Sequence, residues 1–156
     1  MTTDQDYPAD WPRALRLYLG VSLVAHLGWE ILQLPLYTLW SIGTLRQQAF
    51  AVVHCTLGDA MIAGLSLLLA LAVFAHATWP RANVARVSLA TLAFGVGYTI
   101  YSEWLNINVR GSWAYSDRMP IVPVIGTGLA PLLQWVVVPT LALWVALGRA
   151  PWVDEQ

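Results

Sequence analysis

Residues 24–40 read VAHLGWEILQLPLYTLW, an apolar run that nonetheless holds His26, Glu30 and Gln33. Steps of four and three residues put these groups on one helical face, and Tyr37 extends that face by four more. A charge at the centre of a membrane-crossing helix costs roughly 2.5–3.5 kcal/mol on insertion scales, so such groups turn to a bundle interior or to water. The stretch therefore predicts a helix with apolar flanks and one polar stripe.

The rest of the chain agrees. Of 156 residues, 58% are apolar and 11% charged, whereas a soluble domain is about a quarter charged. Long apolar stretches cover 14–36, 49–77, 84–105 and 121–147, the last expected to be helical from 124. Each reaches the roughly 20 residues that cross about 30 Å of hydrocarbon. The expected fold is all-α: a single integral membrane domain built as an antiparallel four-helix transmembrane bundle. Gly58, Gly64, Gly95 and Gly97 would let its helices approach closely.

The opening MTTDQDYPADWPR is acidic rather than basic, and no small-residue cleavage site follows the first span, so all spans are expected to persist. Arg13, Arg16, Arg81, Arg86 and Arg149 fall on the side of the termini, against Arg46, Arg110 and Arg118 on the other. That excess favours a multi-pass protein of the inner (plasma) membrane with both termini cytoplasmic. Cys55 is the single cysteine, so no disulfide framework exists, and a net charge of −1 gives no case for nucleic acid. No G-x-S-x-G, Walker loop, dinucleotide turn or CxxC is present.

Pro35 lies near the end of the first helix, and INVRGSWAYSDRMP (107–120) makes the one substantial loop, with Trp113 and Tyr115 suited to an interface. PVIGTGLAP (123–131) reads as an irregular entry to the last helix, with Thr127 a candidate N-cap and Pro131 in its first turn.

Polar residues recur on the other helices. Cys55, Asp59 and Ser66 share a face, with His54 displaced around the helix. Thr91, Gly95, Thr99, Glu103 and Asn106 form a stripe with Tyr98 and Ser102 beside it. Gln134 lies one turn past Pro131, next to Trp135. With alternating topology and a rise of about 1.5 Å per residue, Glu30, Gln33, His54, Asp59, Glu103, Asn106 and Gln134 all fall in one outer layer. Apart from arginines at the span ends, the inner halves hold almost nothing ionisable, with His76 the exception. Three carboxyls and two histidines in one layer cannot all keep their solution protonation states. A neutral acid beside an ionised one is the expected product, and it suits acid–base chemistry.

The candidate catalytic set is His26, Glu30, Asp59 and Glu103. The candidate substrate-binding set is Gln33, His54, Tyr98, Asn106, Trp113, Tyr115, Gln134 and Trp135. The expected ligand is a hydrophobic small molecule or lipid, with no cofactor and with a homo-oligomer open. Structural readings stand beside these: His26 with Glu30 as an interhelical polar pair, Glu103 as an interface carboxylate, Asn106 as a loop former, and Trp135 as packing. An alternative joins His26, Glu30, His54, Asp59 and Glu103 as an N/O metal site for zinc, iron or copper. A non-enzymatic transport, proton-relay or accessory role is a further alternative.

HLGWE (26–30), an acid on the following helix and QWVVVP (134–139) together resemble the emopamil-binding protein and sigma-2 receptor superfamily, as does WEILQLPLY (29–37). The resemblance implies a small helical bundle holding a sterol-like ligand, with double-bond shifts driven by intramembrane protonation. It would give His26, Glu30 and Asp59 the acid–base work, and Gln134 and Trp135 a cation-stabilising role. Gln134 stands where the isomerase pattern has asparagine, and the first interhelical connection is shorter than in that family. Hydratases and cyclases of isoprenoids use the same proton chemistry.

Overall fold

The computed structural model describes residues 11–76, 79–80 and 82–148. Arg81 and Arg149, which enter the orientation argument, lie outside the described residues. Helix α1 spans Trp11–Gln33 and tightens into a 3-10 turn, Leu34–Leu36, at Pro35. A short α2, Leu39–Ile42, precedes α3, Leu45–Phe74. α3 starts four residues before the expected position 49 because Thr44 and Gln47 cap it reciprocally: the Gln47 N–H donates to Thr44 Oγ1 at 3.4 Å, and the Thr44 N–H to Gln47 Oε1 at 2.8 Å. α4 spans Val84–Trp104 and widens into a π-helical turn, Leu105–Arg110, closed by Gly111 at φ 61°. α5 spans Leu129–Leu147 and runs through Pro139.

Four helical segments are long and apolar enough to cross a membrane: Trp11–Leu36, Leu45–Phe74, Val84–Arg110 and Leu129–Leu147. Their polarity is inverted relative to a water-soluble bundle. Val24, Leu32, Leu57, Leu89 and Trp144 are exposed, whereas Ser22, His26, Thr91, Thr99 and Gln134 are buried. The interior between the helices is filled from Tyr18, Ala63, Leu67, Ala70, Val87 and Leu143. Small residues carry close contact at fewer places than expected. A Cβ at Gly95 would fall 2.3 Å from Trp135 Cε3, so that glycine is required; one at Gly64 would only touch Leu19, at 3.4 Å, and Gly58 and Gly97 face open space.

The long loop is pinned to the end of α1. The Thr38 N–H donates to the Ala114 carbonyl at 3.0 Å and the Ser116 N–H to that of Leu36 at 2.9 Å, pairing Tyr37 with Tyr115. A second closure brings the Val122 N–H to the Thr127 carbonyl at 2.9 Å and the Leu129 N–H to that of Pro120 at 2.7 Å. α5 therefore starts at Leu129 rather than 124, and its N-cap is Gly128, with no side-chain capping bond. Thr127 is buried one residue earlier and does not take the capping role expected of it.

Candidate functional site

Three helices converge on one polar cluster. α1 contributes His26, Glu30 and Gln33, α3 contributes Asp59, and α5 contributes Gln134. The Gln134 amide is the hub. Its Nε2 lies 2.9 Å from His26 Nδ1, 3.0 Å from Glu30 Oε1 and 2.9 Å from Asp59 Oδ2. Its Oε1 accepts from Gln33 Nε2 at 3.1 Å, and the same Gln33 nitrogen donates to Glu30 Oε1 at 2.7 Å. His26 Nδ1 also lies 3.4 Å from Asp59 Oδ2.

Counting hydrogens fixes the chemical character of this cluster. A primary amide nitrogen carries two, and Gln33 commits both of its own. Gln134 has two as well, yet three acceptors surround its nitrogen. Glu30 and Asp59 are neighbours through that one nitrogen. Ionised carboxylates only accept, so with both acids ionised the two amide hydrogens serve three acceptors.

A second polar unit closes the loop end of the bundle. The Tyr115 hydroxyl donates to Glu103 Oε2 and accepts the Gly128 N–H at 2.8 Å. The Trp113 indole lies against the same carboxylate without meeting hydrogen-bond geometry. Tyr37 and Tyr115 pack with ring centroids 5.6 Å apart. Burial, then the neighbouring acid Glu103, pushes the Tyr37 and Tyr115 hydroxyls above the ordinary tyrosine range, so both stay protonated donors at neutral pH.

Not every expected residue reaches this region. His54 is exposed and stacks on Phe50 at 5.5 Å, and Tyr98 is exposed against Tyr101. Each stands five residues from its acid, Asp59 or Glu103, about 140° around the helix. Asn106 serves the backbone: its Nδ2 donates to the Ser102 carbonyl at 2.9 Å, and its carbonyl accepts the Ser112 N–H at 2.8 Å. Trp135 packs against Gly95 and tilts onto the His26 ring at 5.2 Å, so it positions the imidazole. With His54 turned away, the five-residue metal set is not assembled, and among the described residues no three His, Cys, Asp or Glu side chains form a group that could hold an ion.

Tyr18 and Ser22 were outside the candidate sets, yet both are buried on the His26 face of α1. Their spacing of four and eight residues from His26 is the available signal. Pro139 leaves the Trp135 carbonyl without its usual helical donor. Comparison of the chain with family models, curated proteins and solved structures finds no match.

Proposed function

We propose that the four long helices cross the inner membrane as an antiparallel bundle with both termini cytoplasmic, and that the cluster is an acid–base pocket for a hydrophobic unsaturated lipid of isoprenoid or sterol-like type. The observation that carries this reading is the meeting of the Glu30 and Asp59 carboxyls at one Gln134 amide nitrogen, beside the His26 imidazole. The inverted polarity of the helices supports membrane residence. Gly58 opens onto free space beside Asp59, whose side chain keeps 15% exposure, so a ligand has a lateral approach.

In this reading Glu30 and Asp59 share one proton, which passes from a carboxyl oxygen to one alkene carbon, forming a C–H bond and leaving a cation on the neighbouring carbon. The carboxylate so produced steadies the cation and removes a proton from the next carbon. The double bond shifts, the acid is restored, and no other reactant is consumed. Water capture of the cation would give a hydratase, and ring closure a cyclase. Glu103 acts from the loop side as an electrostatic partner.

The test is deuterium transfer. Protein reconstituted in lipid vesicles in heavy water is incubated with a panel of unsaturated isoprenoids and sterols, followed by mass spectrometry. The reading predicts deuterium on carbon for at least one compound, lost in Glu30→Gln and Asp59→Asn variants that fold normally. Equal incorporation in both variants, or none from any panel member, contradicts it.

A further inference from the structure

Three buried polar atoms of α1 have no hydrogen-bond partner: Gln33 Oε1 and, on the N-terminal side of the cluster, Ser22 Oγ and His26 Nε2, whose residues are both 0% exposed. Ser22 and His26 stand four residues apart on one face, about 6 Å along the axis. Helical side chains lean toward the N-terminus, so the His26 ring leans toward the turn that carries Ser22. Nδ1 of the imidazole is taken up by Gln134 and Asp59, which leaves Nε2 as its other polar atom. Beyond Ser22, the Tyr18 hydroxyl lies beside the serine and donates to the Ala63 carbonyl across a long 3.4 Å contact.

An unpaired buried polar atom costs roughly 1–3 kcal/mol, and two on neighbouring turns share the remedy of one bridging group. We infer that a single buried water joins Ser22 Oγ to His26 Nε2, with the Tyr18 hydroxyl as its further neighbour. A water needs two to four polar partners, and this site offers that many. The bridge makes a hydrogen-bonded file Tyr18–Ser22–water–His26 that enters the cluster from the N-terminal side of α1. In the neutral imidazole that accepts from Gln134 at Nδ1, the proton sits on Nε2 and is donated to this water.

Water-edited nitrogen NMR of histidine-labelled protein in vesicles tests the inference without any turnover. The His26 signals are those missing from a His26→Gln sample. Water magnetisation is expected to reach Nε2 in the unmodified protein, to be lost in Ser22→Val, and to persist in Ser22→Thr. An unchanged Nδ1 shift reports that the Gln134 side is intact. If Ser22→Val moves that shift, Ser22→Ala takes its place with the same loss expected. No transfer to Nε2 in the unmodified protein, or undiminished transfer in the hydroxyl-free variant, overturns the inference.

Discussion

The side-chain amide nitrogen of Gln134 stands 2.9 Å from Oδ2 of Asp59, joining α5 to α3 through the middle of the bundle. The same nitrogen reaches Glu30 and His26 of α1, so one amide holds three helices in register. Replacing Gln134 by leucine removes the amide contact from both carboxyls and the imidazole, leaving Glu30 its bond from Gln33. A loss of roughly 1–3 kcal/mol is expected, read as a lowered unfolding midpoint in detergent. An unchanged midpoint would show that the amide is dispensable.

Gly95 and Gly97 make a matched pair. Alanine at 95 places a Cβ 2.3 Å from Trp135 Cε3, whereas at 97 nothing lies within 4 Å. Gly95→Ala should cost about 1–3 kcal/mol through overpacking and shift tryptophan emission as Trp135 leaves His26. Gly97→Ala should be neutral or stabilising by up to about 1 kcal/mol, because alanine is the better helix former. Thermal melts of the two variants decide this.

Tyr115 ties the loop to α4 by donating to Glu103 while accepting from Gly128. Tyr115→Phe removes both links, and hydrogen exchange at the Gly128 amide should quicken while the centres of the helices stay protected. Unchanged protection at Gly128 would mean that the link does not hold the loop.

The same residue gives a pH dependence. Burial, and its bond to Glu103, hold the Tyr115 proton above the ordinary tyrosine value. Above about pH 10 the unfolded chain therefore loses that proton first. Tyr115 stability is fully present below that pH and falls as pH rises beyond it. Tyr115→Phe should unfold with a shallower alkaline dependence than the unmodified protein; parallel curves would remove Tyr115 from the account.

The sequence and the structure agree most where periodicity speaks. The α4 stripe Thr91, Gly95, Thr99 and Glu103 is the buried face of that helix, and His26, Glu30 and Gln33 meet as their spacing implies. Nearness in sequence to an acid does not report direction, which is why His54 and Tyr98, each five residues from one, face outward. The Tyr115–Glu103 link depends on a loop whose path carries no period, and only coordinates join the two residues. Gln134 is legible as a polar residue within an apolar helix, but its role as hub depends on the mutual placement of α1, α3 and α5.

The most direct test of the account is infrared spectroscopy of the protein in vesicles at neutral pH, following the stretch of a protonated carboxyl and its shift in heavy water. A band is expected that disappears in the double variant Glu30→Gln/Asp59→Asn and survives Glu103→Gln. No such band in the unmodified protein, or one that persists in the double variant, would contradict the shared proton on which the proposed chemistry depends.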